Sequence, residues 1–343
     1  MPKEYLKYLY NEHLNSDGGI EIESSFFQRS QILSEIEPET YEITFEEWEN
    51  SRKEELLSKA NKILGLYDNS KRFEKLKKAY NTRMLTPFIG AGLSMLSGYP
   101  SWTSFLYQLC EESDLTEEEL DKLLKLGKYE EAAQELYNDL GNELFNEYLE
   151  NEFSHEKNII GAINYLPLLF NQSSIITTNF DNVLEKIFDG KDNGFDEIKS
   201  GKYLDEVIRK TASGSRILIK LHGDCTQIQD RVLTLNEYEN AYVDTRVLSK
   251  FIERFIFKGT LLFLGCSLSN DRTISTMKKF VQEEGADGIP RHYTFMEEIL
   301  DEKDRRQKKR ELAKANIFPI WYPTDEHDES IEALFFKLME DNL

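Results

Sequence analysis

The sequence predicts an α/β chain: a mostly parallel sheet with helices on both faces, a small helical subdomain inserted into it and a helical extension ahead of it. Two observations carry this. From residue 83 onward short apolar, β-rich runs alternate with amphipathic helical stretches, as crossover-connected parallel strands do. The first eighty residues lack that alternation and are acidic, with fourteen acids against six basic residues in positions 1–60. A chain of 343 residues at 40% hydrophobic can bury a core of the size such a domain needs.

Taken in order, residues 1–80 form the extension. Within it "TFEEWENSRKEELLSKANKIL" sets Thr44 and Glu47 at capping-box spacing, which places a helix start at Thr44. The extension is expected to serve as a lid, an oligomerisation arm or a docking surface. Residues 81–343 hold the candidate strands "MLTPFIG" (84–90), "SSIITTN" (173–179), "RILIKLHG" (216–223), "TLLFLGCS" (260–267), "RHYTFME" (291–297) and "IFPIWY" (317–322). Between the first two, the helical stretch 101–166 is too long for one crossover. Part of it, about 104–166, is read as the inserted subdomain.

Composition excludes several function classes. A net charge of −21, 31% charged residues and no apolar run of the roughly 18–20 residues that a bilayer requires argue against a membrane span. The amino terminus has no basic start followed by an apolar core, so a soluble, cytoplasmic protein is expected. Cys110, Cys225 and Cys266 are scattered and make no C-x-x-C pair, so neither a zinc site nor a disulfide framework is expected. Acidity disfavours a nucleic-acid partner, and the basic run at 303–314 reads as a solvated helix face.

Four strand ends carry the polar residues. After the first, Gly90-Ala91-Gly92 and Ser94 suit a phosphate cradle, because glycine lets backbone approach a ligand and exposed N–H groups face negative charge. Met95 stands where the dinucleotide fingerprint G-x-G-x-x-G needs glycine or alanine, so the usual Rossmann motif is incomplete in this otherwise Rossmann-like pattern. The second strand delivers Thr178, Asn179 and Asp181, and the third His222, Gly223 and Asp224. The fourth ends in Gly265-Cys266-Ser267, with Asn270 and Asp271 beyond. Ligands of open α/β sheets bind outside such carboxyl ends.

The ordered set "GAGLS" (90–94), "GYPSW" (98–102), "TNFD" (178–181), "HG" (222–223) and "GCS" (265–267) resembles the Sir2 (sirtuin) superfamily over about residues 83–300. Within it the chain looks more like the bacterial SIR2-like domains of antiphage defence than the protein deacylases. The latter have a four-cysteine zinc module and carry Asp-Phe-Arg where this sequence has Ser101-Trp102-Thr103. The resemblance implies NAD+ as substrate, without a metal, and a catalytic role for Asn179, whose amide suits gripping a ribose hydroxyl or placing a water. His222, titrating near neutrality, is the expected general base. Asp181 sits near the developing cation or caps the helix "NVLEKIF".

The dinucleotide is expected on Gly90, Ala91, Gly92 and Ser94 on one side and Thr178, Gly265 and Ser267 on the other. Trp102 is either an aromatic wall over the nicotinamide or a core residue behind an N-cap at Ser101. Asp271 reaches the adenosine ribose or caps the following helix. No role is expected for His13, His155, His292 or His327, and no catalytic residue in "LTLNEYENAY" (233–242). The function implied is an NAD+ glycohydrolase giving nicotinamide and ADP-ribose or its cyclic form, which depletes NAD+ on infection. A non-catalytic NAD+- or ADP-ribose-binding module is the alternative, and a deacylase is less favoured. Control is expected through a homo-oligomer and a second defence protein, a HerA-type ATPase ahead of an Argonaute-type one.

Overall fold

A computed structural model describes residues 2–22, 25–190, 194–242, 246–268 and 272–342. The strands are β1 (Ile20–Ile22), β2 (Ser25–Phe27), β3 (Leu85–Ile89), β4 (Ile175–Thr177), β5 (Glu197–Ser200), β6 (Ile217–Lys220), β7 (Thr260–Leu264), β8 (His292–Glu297) and β9 (Ile317–Tyr322). β1 and β2 form a small antiparallel pair. The other seven make one sheet in the order β5-β6-β4-β3-β7-β8-β9, with every pairing parallel. The chain leaves β3 to one side through β4 and returns to its other side with β7. That reversal is where an open α/β sheet leaves a crevice at its carboxyl edge.

The six expected strands all form, within three residues of the expected ends, β6 and β7 each stopping three residues early where the polar turns begin. β5 in the sheet and the β1–β2 pair inside the stretch expected to be helical are the additions that sequence reading did not supply. β5 is short and polar because it is an edge strand: Ile198 is half exposed, and Glu197 and Lys199 pair with Lys210 and Glu206 on the neighbouring helix.

Helices cover both faces, in line with the buried, unbroken apolar runs of β6 and β7. On one face β3, β4, β7 and β9 share a core with α3 (Pro38–Leu64), α4 (Asn69–Asn81), α5 (Trp102–Glu111), α7 (Tyr129–Phe153) and α15 (His327–Met339). The other face packs on α10 (Leu204–Ala212), α11 (Leu235–Ala241), α12 (Arg246–Lys258), α13 (Arg272–Glu284) and the segment after α14 (Glu302–Ala313). The remaining helices are α1 (Lys3–Asn15), α2 (Arg29–Ile36), α6 (Glu117–Lys125), α8 (Leu166–Leu169) and α9 (Val183–Ile187).

The residues expected to form the extension contribute to that first core. Leu56, Ala60, Ile63, Phe73 and Leu76 are buried in it, and Asn69 bonds both the N–H and the C=O of Trp321 on β9, at 3.1 and 2.7 Å. Arg52 of α3 donates to the buried Glu332 of α15 at 2.5 Å, and Tyr165 donates to the same carboxylate. The helix start expected at Thr44 is wrong. α3 begins at Pro38, where the missing N–H costs nothing, and Thr44 lies a turn and a half inside, its hydroxyl returned to the Thr40 carbonyl at 2.8 Å. Between β3 and β4 run α5, α6 and α7, the last broken at Gly141, where φ is +77°. Among the described residues no helix is long and apolar enough to cross a membrane.

Candidate functional site

The glycine loop and the loop after β7 meet at the centre of the carboxyl edge. Gly90 N–H donates to Leu264 O at 2.8 Å and Gly92 N–H to Gly265 O at 2.9 Å. A Cβ on Gly90 would lie 2.5 Å from Gly265 O, and one on Gly92 2.8 Å from Gly265 Cα. Gly265 itself has φ +65°. These glycines therefore let two loops touch backbone to backbone. The expectation that Gly90 and Gly92 present free N–H groups to a phosphate is corrected by this pairing; Ala91 opens a short 3-10 turn and lines the cavity. Ser94, also expected to hold the dinucleotide, sits behind the loop. Fully buried and outside the cavity lining, it accepts a hydrogen bond from Asn179 Nδ2 at 3.2 Å, so it positions that side chain.

A cavity of about 510 Å³ opens over these loops, within the roughly 300–1,000 Å³ of ordinary ligand pockets. Gly90, Ala91, Gly92, Trp102 and Thr178 line it, as do Asn179, Asp181 and His222, and Gly265 and Ser267 on the far side. Asp271 lies outside the described residues.

Asn179 is buried, held by Ser94 and by its own N–H on Thr177 Oγ1 at 3.0 Å. Its Oδ1 is buried without a hydrogen-bond partner among the described residues. An acceptor left so is costly unless a ligand hydroxyl or a water completes it. Asp181 accepts the Val183 N–H at 3.1 Å from one residue ahead of Asn182, which is the N-cap of α9, and its carboxyl also borders the cavity; burial pushes its pKa up. His222 lies against Phe180, and its Nε2 is 2.9 Å from the Tyr238 hydroxyl. Burial lowers its pKa to about 4, so at neutral pH the ring is uncharged and has a lone pair to offer. Trp102 follows the Ser101 cap, whose hydroxyl accepts Ser104 N–H at 3.0 Å, and packs on Phe105 and Phe180 while lining the cavity.

Beneath the site lies a residue that sequence reading passed over. Lys220, buried at the end of β6, donates to Glu185 at 2.6 Å, Asp224 at 2.9 Å and Asp181 O at 3.0 Å. Burial alone would discharge the amine, but Glu185 and Asp224 outweigh it and raise its pKa. The ammonium thus ties the turn bearing Asn179 to the turn bearing His222. A lone lysine inside "ILIKL" was the available signal. Tyr238, in the segment expected to contribute nothing, bonds His222 and lines the cavity, as does His327, whose Nδ1 pairs with the Tyr322 hydroxyl at 2.6 Å. Much of the basic run is solvated, but Arg305 bonds Ile299 O at 2.7 Å and lies over the Tyr67 ring, Lys309 pairs with Asp68 at 2.8 Å, and Lys308 lines the cavity and donates to Leu268 O at 3.1 Å. Cys110 and Cys225 are buried and Cys266 half-buried, all as free thiols.

The SIR2-like domain family matches residues 173–320, a stretch that begins after the glycine loop and includes Asn179, His222 and Gly265. The chain is 26% identical over 215 residues to the NAD(+) hydrolase ThsA of Cytobacillus dafuensis, covering 62% of this chain and 41% of that protein. It is 27% identical over 223 residues to the enzyme of the same name from Enterococcus faecium, covering 63% and 43%. It is also 28% identical over 208 residues to Defense-associated sirtuin 2 of Bacillus subtilis, covering 57% and 19%. The chain spans less than half the length of these relatives. The parallel sheet, the joined glycine loops and the Asn179–His222 cavity at its carboxyl edge thus go with a SIR2-like domain match at residues 173–320.

Proposed function

We propose that the cavity binds NAD+ and hydrolyses its nicotinamide–ribose bond. The observation that carries the proposal is that the cavity is lined both by a buried amide oxygen without a partner among the described residues (Asn179) and by an imidazole kept neutral by burial (His222). The leaving nicotinamide already bears positive charge, so no acid is needed. As the bond breaks, its electron pair goes to the nicotinamide nitrogen and the ribose carbon gains oxocarbenium character. Asn179 Oδ1 holds a ribose hydroxyl or the attacking water, the water oxygen bonds to the ribose carbon, and its proton passes to His222. The balance is NAD+ plus water giving nicotinamide, ADP-ribose and a proton; attack by the adenine in place of water gives the cyclic product.

The named activity of the ThsA relatives and the defence association of the sirtuin relative support a role as an NAD+-depleting effector of antiphage defence, acting in the cytoplasm by abortive infection. Such an activity has to be restrained in a healthy cell. We infer restraint through a homo-oligomer and a second defence protein, of HerA type before Argonaute type, with residues 1–80 as the surface for it. Incubating the purified chain with NAD+ and following nicotinamide and ADP-ribose tests the proposal. Asn179→Ala and His222→Ala are expected to lose turnover at least ~100-fold while retaining most NAD+ binding. Wild-type binding without turnover, alone and with its partner, would leave a binding module instead.

A further inference from the structure

Two charged groups at the Asn179–His222 end of the cavity have no place in the reaction as written. Arg272 opens α13 on one side and Glu130 lies in the first turn of α7 on the other, and Arg272 Nε donates to Glu130 Oε2 at 2.5 Å. The same guanidinium lies 4.8 Å from the centre of the Tyr238 ring, whose hydroxyl meets His222. Both Arg272 and Glu130 line the cavity.

A dinucleotide brings two phosphate charges into a protein of net charge −21. Among the described residues, the lysine and arginine side chains lining the cavity are Lys308 and Arg272. Lys308 is committed to the carbonyls of Ser267 and Leu268, and burial holds its pKa down. The N–H groups of Gly90 and Gly92 are spent on the β7 loop. The stretch after Pro100, where deacylases place an arginine, reads Ser101-Trp102-Thr103. A guanidinium is the group best shaped to take two phosphate oxygens at once.

We propose that Arg272 grips the pyrophosphate of the dinucleotide, exchanging the Glu130 carboxylate for phosphate oxygens when substrate enters. The proposal rests on the cavity being the NAD+ site. Glu130 is then a competitor as well as a partner, since its charge opposes an anionic ligand until Arg272 has moved. Arg272 acts on the phosphates and leaves the broken bond to Asn179 and His222, so its loss belongs in KM.

The test uses wild type, Arg272→Ala, Arg272→Lys and Glu130→Gln. Steady-state kinetics are measured on NAD+ and on nicotinamide riboside, which has the same scissile bond and no phosphate, and ADP-ribose binding is measured by calorimetry. Arg272→Ala is expected to raise KM for NAD+ and the Kd for ADP-ribose by roughly 10- to 100-fold, as loss of a charged hydrogen bond does. kcat should stay within a few-fold, nicotinamide riboside should be unaffected, Arg272→Lys should recover part of the loss, and Glu130→Gln should lower KM. Unchanged KM and Kd in Arg272→Ala, or equal losses of kcat on both substrates, would overturn the assignment. Arg272-dependent ADP-ribose binding without NAD+ hydrolysis would sink the hydrolase and leave Arg272 standing. Hydrolysis indifferent to Arg272 would do the reverse, and a wild type binding neither ligand would overturn both.

Discussion

His222 and His292 are both kept neutral by burial, with pKa values lowered to about 4 and about 3 from an ordinary value near 6.5. Between those limits the unfolded chain binds more protons than the folded one, so stability rises with pH there. The contribution is fully present above about pH 6.5 and is lost as pH falls toward 4 and then 3. Denaturant midpoints should therefore drop between pH 6.5 and 4, and His292→Gln should flatten part of that slope without touching the cavity. For activity, kcat/KM on NAD+ should hold its neutral value to about pH 5, since it reports the free enzyme's base. An acid limb centred at 6.5 would show that His222 is solvated. The candidate pair was legible because Asn179 and His222 each end an apolar strand. Tyr238 was hidden because a tyrosine on a short helix has no sequence mark of what its hydroxyl meets, and Arg272 and Glu130 lie 142 positions apart.

At the scale of elements, the joint between the glycine loop and the β7 loop is the feature that places both walls of the cavity. Gly92→Ala would set a methyl 2.8 Å from Gly265 Cα, against backbone that cannot swing aside. We expect it to cost about 1–3 kcal/mol, as overpacking does, and to depress turnover because Ser94 and Asn179 move with the loop. Thermal melts and NAD+ assays check it, and Gly141→Ala, at a site with open space around it, serves as the contrasting change in strain alone. The core strands were legible from their unbroken apolar runs, whereas β5 was not, because half its residues are charged and pair with α10. Thr44 misled for a related reason: capping-box spacing also occurs inside helices, where a threonine hydroxyl finds the carbonyl four residues back.

For the whole molecule, the end of α3 and α4 share the core of the sheet, while Leu6, Tyr10, Tyr41 and Phe45 make a small cluster of their own, so composition marked a change of surface that falls short of a change of packing. Leu56, Ile63, Phe73 and Leu76 are buried in the shared core, at roughly 1.5–3 kcal/mol each, a sum comparable with the ~5–15 kcal/mol that holds a domain together. Removal of residues 1–80 is therefore expected to leave a chain that aggregates or lacks a cooperative melt. A truncated chain that melts cooperatively and still binds NAD+ would show the helices to be dispensable. The strand order carries one more consequence, concerning time. A ribosome releases the Asn179 and His222 turns well before residue 260, yet β3 has no neighbour on its second side, and the glycine loop no partner, until β7 emerges. The turns bearing Asn179 and His222 are made first and the joint of the glycine loop last, so a half-made chain lacks the finished cavity, and the NAD+ cleavage proposed for it has to wait for β7.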